Sequence, residues 1–255
     1  MTVLYDCTAG VAVITLNRPE VMNALNSQMR LDLRAAIARA EGEARVIVLT
    51  GAGRAFCSGQ DLEDASSIEA VDFQRILSEE YEPLLQAIHD CPLPVIAAVN
   101  GAAAGAGANL ALSADVVIAA ETAVFLQAFT RIGLMPDAGG TYWLPRQVGA
   151  ARAMGLSLFA DKVGAAQAAA MGMIWEALPD AGFEAGWRAR AAQLAQGPTR
   201  AYGAVKQALR ASSSNDYAAQ LALEARLQGA LGATSDFREG VAAFLEKRPA
   251  RFEGR

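Results

Sequence analysis

Short apolar runs, each stopped by turn residues and then followed by a helical pattern, recur along the first part of this chain. The runs occupy residues 11–16, 45–50, 95–99 and 116–119. Asn17-Arg18-Pro19 follows the first run, and Gly51-Ala52-Gly53 follows the second. Such alternation of strand, turn and helix predicts the α/β class, because each helix returns the chain to the start of the next strand.

The segments between these runs carry helical spacing. Asn26 or Ser27 can cap a helix whose buried stripe is Met29, Leu33, Ile37 and Ala40. Further helices are predicted over residues 73–89, 102–112, 201–209 and 217–231, and residues 54–62 are predicted to form a loop. Pro198 separates a core of residues 1–197 from a C-terminal helical region of residues 198–255, whose alanine-rich helices favour packing on another subunit.

Composition excludes several classes of protein. Hydrophobic residues make up 53% of the 255 and charged residues 19%, which is typical of a globular chain with a large core. The net charge of -5 argues against nucleic-acid binding. Three widely spaced cysteines, no zinc pattern and no membrane-spanning run together predict a soluble, cytoplasmic protein without a metal.

Asp137 is the candidate acid/base residue. It lies in the segment Ile-Gly-Leu-Met-Pro-Asp-Ala-Gly-Gly of residues 132–140, where an apolar run precedes it and small residues follow it. Apolar surroundings raise the pKa of a carboxyl group, which can then both remove and return a proton near neutral pH. The alternative is that Asp137 caps a helix starting near Thr141.

Two glycine-containing loops each follow a predicted strand or turn, at Ser58-Gly59-Gln60 and Gly105-Ala106-Gly107. Together they predict an oxyanion hole, since two backbone N–H groups from separate loops can stabilise a developing enolate. A helix beginning near Ala106 would add the positive end of its dipole. The alternative for each loop is a tight turn that needs glycine for its conformation.

The chain resembles the crotonase, or enoyl-CoA hydratase/isomerase, superfamily over nearly its whole length. The matching motifs are Leu16-Asn17-Arg18-Pro19, Asn23-Ala24-Leu25, the run of residues 53–62, and the run from Pro94 through Asp115. The resemblance implies a spiral of ββα units, a C-terminal helical region that builds a homotrimer or a hexamer (a dimer of trimers), and an acyl-CoA substrate. It also implies that the thioester carbonyl lies between the backbone amides of Gln60 and Ala106.

Two departures from the family pattern favour isomerisation over hydration. Asn109 and Phe129 stand where typical hydratases keep the two glutamates that hold water, and neither residue can act as a base. Asp137 stands where several isomerases keep their carboxylate, and one carboxylate suffices for a 1,3-proton shift. Within the superfamily the chain is most similar to the isomerases of bacterial phenylacetate degradation, and the similarity is carried by residues 132–145, 152–156, 172–175 and 238–248. Those isomerases act on 2-(1,2-epoxy-1,2-dihydrophenyl)acetyl-CoA and on 3-enoyl-CoA.

The same resemblance assigns the substrate contacts. CoA is expected near Arg18, Val21, Ala24, Ala55, Asp61 and Leu62, and the acyl group near Phe129 and Leu134. Gly59, Gly105, Asn109 and Pro136 are further expected substrate contacts. Arg18 is the expected phosphate contact, with Lys247, Arg248 and Arg251 as candidates for a neighbour's CoA. No metal or redox cofactor is implied, since coenzyme A is part of the substrate.

Other functions fit the sequence less well. The Gly105-Ala106-Gly107 loop lacks the third glycine of a dinucleotide-binding motif. Cys57 and Ser58 have only His89 in the whole chain as a histidine partner, which disfavours nucleophilic hydrolysis. Some members of the superfamily use an aspartate at the position of Asp137 as the nucleophile in dehalogenation of aryl-CoA, but that chemistry usually needs a histidine base, and His89 is again the only candidate. An enoyl-CoA hydratase and a non-catalytic CoA-thioester-binding protein remain as alternatives.

Overall fold

The computed structural model describes residues 1–62 and 72–255, whose strands form two sheets. The strands are β1 (Val3–Thr8), β2 (Val11–Leu16), β3 (Val46–Gly51), β4 (Ala55–Cys57), β5 (Val95–Val99), β6 (Ala102–Ala104), β7 (Val116–Ala120), β8 (Val124–Leu126), β9 (Val163–Gly164) and β10 (Glu176–Leu178). The helices are α1 (Ser27–Glu43), α2 (Phe73–Ile76), α3 (Glu82–Asp90), α4 (Ala106–Leu112), α5 (Gly140–Val148), α6 (Ala150–Phe159), α7 (Ala165–Ala170), α8 (Asp180–Ala195), α9 (Thr199–Ala211), α10 (Tyr217–Gly232) and α11 (Ser235–Glu246).

From β3 to β8, consecutive strands alternate between the two sheets. The six-stranded sheet has the order β1-β2-β3-β5-β7-β10 and is parallel except for the β1–β2 hairpin. The four-stranded sheet has the order β4-β6-β8-β9 and is parallel except for β9. The pairs β3/β4, β5/β6 and β7/β8 therefore each give one strand to each sheet, so the chain winds through both sheets as a spiral. The predicted α/β class and the ββα spiral are confirmed.

The core lies between the large sheet and the helices that cover it. Strands β3 and β5 are almost wholly buried, as expected for central parallel strands with both faces covered. Helix α1 packs on β1 and β2 through its predicted stripe, since Met29, Leu33 and Ile37 are all buried. The helix begins after Asn26, whose side-chain oxygen accepts a hydrogen bond from the Met29 N–H at 2.9 Å.

Some sequence predictions of local structure were wrong. Residues 102–104 form strand β6 instead of the start of a helix, and residues 55–57 form strand β4 inside the predicted loop. Alanine is poor in strand propensity, so these short strands owe their conformation to pairing in the small sheet. The predicted helix over residues 73–89 is present as α2, a π-helical turn at Leu77–Tyr81, and α3.

The C-terminal helices begin after Pro198, as predicted, and include α11, which the sequence analysis did not predict. Ion pairs connect them to the core. Asp115, just before β7, pairs with both Lys206 and Arg210 of α9, each at 2.7 Å. In the ranges 1–62 and 72–255, no helix is both long enough and apolar enough to span a bilayer.

Helix α4 and strand β4 approach each other closely at Gly107. A Cβ atom built on Gly107 of α4 would lie 2.3 Å from the carbonyl oxygen of Cys57 in β4, a backbone atom that cannot step aside. Helix α4 can pack this closely on β4 only because residue 107 has no side chain.

We therefore expect Gly107→Ala to lower the free energy of unfolding by about 1–3 kcal/mol through overpacking. Gly155→Ala is the matched control, because Gly155 lies in α6 with nothing within 4 Å of its added Cβ. That change should raise stability by up to about 1 kcal/mol, the helix-propensity difference. Urea unfolding measures both, and equal effects of the two substitutions would contradict the close approach.

Candidate active site

Two backbone N–H groups, those of Gln60 and Ala106, belong to separate loops that border the same cavity. Leu25 pairs with the loop after β4: its N–H donates to the Gly59 carbonyl at 2.8 Å, and its carbonyl accepts from the Asp61 N–H at 3.2 Å. In a parallel bridge of this kind the residue between the two partners directs its own N–H to the opposite side. The N–H of Gln60 is therefore turned away from Leu25.

Ala106, the first residue of α4, supplies the second N–H group. Gly59 brings the loops together: its φ is +100°, and a Cβ there would lie 2.8 Å from the Ala104 carbonyl and 3.3 Å from the Ala106 nitrogen. In the described part of the chain, neither the Gln60 nor the Ala106 N–H has a hydrogen-bond acceptor. Two unpaired donors at a helix N-terminus can hold a negatively charged oxygen.

These donors border a cavity of about 300 Å³. All three predicted catalytic residues and several predicted substrate contacts line it, namely Gly59, Gln60, Leu62, Gly105, Ala106, Phe129, Leu134 and Asp137. Phe129 belongs to a 3-10 turn, Ala128–Ile132, that follows β8. The structure thus brings together residues that are far apart in the sequence, from Gly59 to Asp137.

Asp137 is the carboxylate of this cavity. Its Oδ1 atom is buried and has no hydrogen-bond partner among the described residues. Burial raises the pKa of the Asp137 carboxyl from 3.8 to about 6. The alternative role as a helix cap is wrong, because α5 begins after Gly139 and no side chain caps it.

A second cavity, of about 860 Å³, meets the first at Asp137. The two share Phe73, Leu77, Tyr81, Leu134 and Asp137, and Pro136 lines only the larger one. Leu77 and Tyr81 lie in the π-helical turn between α2 and α3. The carboxyl group therefore stands at the junction of a small cavity with the two N–H donors and a larger cavity with mainly apolar walls.

Asn109, a predicted substrate contact, lies behind the cavities instead of in their walls. Its side chain is fully buried in α4 and is not among the residues that line either cavity. Its Nδ2 donates to the carbonyl oxygen of Asp137 at 2.8 Å, and its Oδ1 accepts from Gln127 Nε2 at 2.8 Å. Asn109 therefore contacts the backbone that carries the candidate acid/base group.

The predicted CoA contacts lie on two adjacent loops. Arg18 Nη1 pairs with Asp61 Oδ2 at 2.7 Å and also donates to the Ala24 carbonyl at 2.7 Å. Leu62 is half exposed, and Val21 is partly exposed. Ala24 and Ala55 differ from the prediction, because both are buried and their carbonyl oxygens already accept side-chain hydrogen bonds.

Sequence reasoning missed a buried arginine beneath the Gln60 loop. Arg30 of α1 is 1% exposed, pairs with Glu80 at 2.6 Å, and donates to Gln60 Oε1 at 2.9 Å. The Tyr81 hydroxyl donates to the same Gln60 oxygen at 2.8 Å. Arg30 stands beside the apolar stripe of α1, and its partners Gln60 and Glu80 lie 30 and 50 positions further along the chain, so helical spacing alone could not identify it.

The other candidate chemistries find little support in the geometry. Cys57 is fully buried, and burial raises the pKa of its thiol to about 12, which keeps it protonated. His89 lies at the end of α3 beside Asp90 and lines the larger cavity. No cluster of three or more His, Cys, Asp or Glu side chains within residues 1–62 and 72–255 could hold a metal ion.

Comparison with known proteins agrees with this geometry. The family model described as enoyl-CoA hydratase/isomerase matches residues 6–255. A protein of Rhodobacter capsulatus named probable enoyl-CoA hydratase is 70% identical over 254 residues, covering 100% of this chain and 98% of the relative. The 1,2-epoxyphenylacetyl-CoA isomerase of Escherichia coli is 44% identical over 258 residues, covering 99% of this chain and 98% of that enzyme.

A solved structure gives the same result for the fold. The crystal structure of a putative enoyl-CoA hydratase/isomerase from Mycobacterium abscessus superposes with a TM-score of 0.93 at 39% identity, covering 99% of this chain and 100% of the other. Family model, relatives and fold all span essentially the whole chain. The chain therefore belongs to the enoyl-CoA hydratase/isomerase family.

Proposed function

We propose that the protein is an isomerase of acyl-CoA thioesters that moves a proton with Asp137. The observation that carries this proposal is the placement of one half-buried carboxyl group, whose Oδ1 atom is unpaired, in the same cavity as two unpaired backbone N–H groups. In the proposed reaction the Gln60 and Ala106 N–H groups hold the thioester oxygen. Asp137 removes a proton from C2 of a 3-enoyl-CoA to give a dienolate, and returns the proton to C4 to give the 2-enoyl-CoA.

The environment of Asp137 suits both halves of this reaction. With a pKa of about 6, the carboxyl group is largely ionised at neutral pH and still basic enough to take a proton. The two N–H donors stabilise the enolate oxygen and so lower the activation barrier for removal of the C2 proton. The proton is only moved, with no electron transferred to an acceptor, so the proposal includes no metal or redox cofactor.

The larger apolar cavity favours a substantial acyl group. We therefore propose 2-(1,2-epoxy-1,2-dihydrophenyl)acetyl-CoA or a 3-enoyl-CoA as substrate, in phenylacetate or fatty-acid degradation in the cytoplasm. Support comes from the 44% identity to the 1,2-epoxyphenylacetyl-CoA isomerase of E. coli, together with the apolar side chains of Phe73, Leu134 and Trp143 that line the cavities.

Hydration is the second candidate function, favoured by the name of the R. capsulatus relative. It requires a group that activates water. Asn109 is committed to other hydrogen bonds, and Phe129 is apolar, so the two positions that the family resemblance assigns to this task offer no base.

We also propose a homotrimer or hexamer built through the C-terminal helices. The support is a set of large apolar side chains left exposed on α11, namely Phe237, Val241, Phe244 and Leu245. Surfaces of this kind are typical of protein contacts.

The assignment is tested with the purified protein, a 3-enoyl-CoA and, separately, crotonyl-CoA. We expect rapid isomerisation of the 3-enoyl-CoA and negligible hydration of crotonyl-CoA, both followed spectrophotometrically. Asp137→Asn should lower kcat by at least about 100-fold, because it removes the acid/base group but keeps its shape. Efficient hydration that survives in Asp137→Asn would overturn the isomerase assignment.

A second prediction concerns the oxyanion donors. Ala106 is the first residue of α4, where proline is tolerated, so Ala106→Pro should remove the N–H with little change to the helix. We expect kcat to fall by about 100- to 1,000-fold, the typical cost of losing one such donor. Ala106→Gly keeps the N–H and is the control. If both variants lose activity equally, the Ala106 N–H is not the donor.

A third prediction follows from the raised pKa of Asp137. The unfolded chain ionises this group near pH 4, and the folded chain near pH 6, so ionisation in the folded state opposes folding above that range. Asp137→Asn should therefore be more stable than the wild type at pH 8, by about 1 kcal/mol after screening by solvent at the cavity mouth.

This advantage should shrink as the pH falls through 6 and vanish near pH 4. Urea unfolding at a series of pH values measures it. The exposed Asp161→Asn is the control for the loss of one carboxyl group. An advantage for Asp137→Asn that is independent of pH would show that the Asp137 carboxyl is not desolvated in the folded protein.

A further inference from the structure

The turn that presents Asp137 has an unfavourable conformation. The Gly140 N–H donates to the Asp137 carbonyl at 2.8 Å, which closes a four-residue turn. Both central residues have left-handed φ values, +46° at Ala138 and +81° at Gly139, as in a type I′ turn. Glycine adopts this conformation freely, whereas alanine does not.

The buried side-chain amide of Asn109 donates a hydrogen bond to this turn. Besides the Gly140 N–H, the Asp137 carbonyl accepts from Asn109 Nδ2 at 2.8 Å. A Cβ built on Gly140 would lie 2.3 Å from that same Asn109 nitrogen, so Asn109 occupies the space directly against the turn. The turn and α4, which carries the Ala106 N–H donor, are thus joined by one side chain.

The Asp137 carbonyl, which can only accept, requires the NH2 group of Asn109 to face it, so the oxygen of Asn109 faces Gln127, the residue after β8. Gln127 Nε2 donates to that oxygen at 2.8 Å and so supports this orientation. The side chains of Asn109 and Gln127 are both buried, at 0% and 5% exposure. A flipped Asn109 would set two carbonyl oxygens against each other in a buried place, which is costly.

We propose that Gln127 and Asn109 are positioning residues for Asp137. Their hydrogen bonds, from Gln127 to Asn109 and from Asn109 to the Asp137 carbonyl, form a structural relay. This relay holds the left-handed turn and so keeps the carboxyl group between the two cavities. The relay rests on the proposed isomerase function for its kinetic consequence. Neither residue touches the substrate in this proposal. They act through the backbone of Asp137.

The test replaces both amides by apolar groups of nearly the same shape, as Asn109→Leu with Gln127→Met. Removing both partners of a buried hydrogen bond together has little effect on stability, whereas removing one leaves the other unsatisfied. The double variant therefore separates positioning from folding. If it does not fold, Gln127→Met alone, which leaves Asn109 in place, provides the test.

We expect kcat for 3-enoyl-CoA to fall by about 10- to 100-fold, the effect of moving a catalytic group by about 1 Å. KM should change little, because the predicted CoA contacts and both N–H donors lie elsewhere. The matched control is Gln147→Met, since Gln147 also donates to a carbonyl of α4, that of Leu112, but does not contact the turn. It should keep the kcat of the wild type.

The pH dependence gives a readout that a purely structural role would not move. In the wild type, kcat/KM should rise with pH around a midpoint of about 6 as Asp137 ionises. A carboxyl group released toward water loses the burial that raises its pKa, so the midpoint of the double variant should shift to lower pH. The other titratable side chains that line the two cavities are unchanged: Tyr81, Glu82, His89, Arg131 and Tyr142.

Ala138→Gly should partly restore kcat in the double variant, because a Gly-Gly pair adopts the type I′ turn without support. Wild-type kcat and an unshifted pH midpoint in the double variant would overturn the relay, as would an equal loss in Gln147→Met. Failure of the proposed function is a different result. In that case the wild type itself does not isomerise 3-enoyl-CoA, and a ¹³C NMR titration of the Asp137 carboxyl, assigned with Asp137→Asn, still tests the relay.

Discussion

The structure depends on the close contact of two backbone segments, the end of β4 and the start of α4. Gly59 and Gly107 are the residues that permit it, since a side chain at either would meet a carbonyl oxygen at less than 3 Å. This contact turns two otherwise ordinary loop amides into a pair that faces one cavity. It also fixes α4, and through Asn109 the turn of Asp137, relative to those amides.

Burial gives the site its chemical character. Asp137 has an unpaired buried oxygen and mainly apolar neighbours, and this desolvation raises the pKa of its carboxyl group. In contrast, the buried charge of Arg30 is satisfied by Glu80 and by the side chain of Gln60. Gln60 thus combines an unpaired backbone N–H with a side chain that is fixed by its hydrogen bond from Arg30.

The sequence was sufficient for the class of fold and for most of the cavity. Recurrent strand runs predicted the large sheet, and the glycine loops with Asp137 predicted residues that do meet in one cavity. Strands β4 and β6 were missed because each is only three residues long, too short for a periodic pattern, and depends on pairing with its neighbour. The roles of Asn109 and Arg30 were missed because their partners are distant in sequence, and only the folded chain brings them together.

The arrangement of the two cavities determines how the proposed enzyme would choose the reacting atoms. In the proposed reaction the N–H pair holds the thioester oxygen, while Asp137 lines both cavities at a set place relative to that pair. The reacting carbon atoms are therefore selected by their distance from the thioester group. The rest of the acyl chain extends into the larger cavity. In such a design, regiochemistry and tail length are independent, so one carboxyl group serves acyl chains of very different size at the same bond.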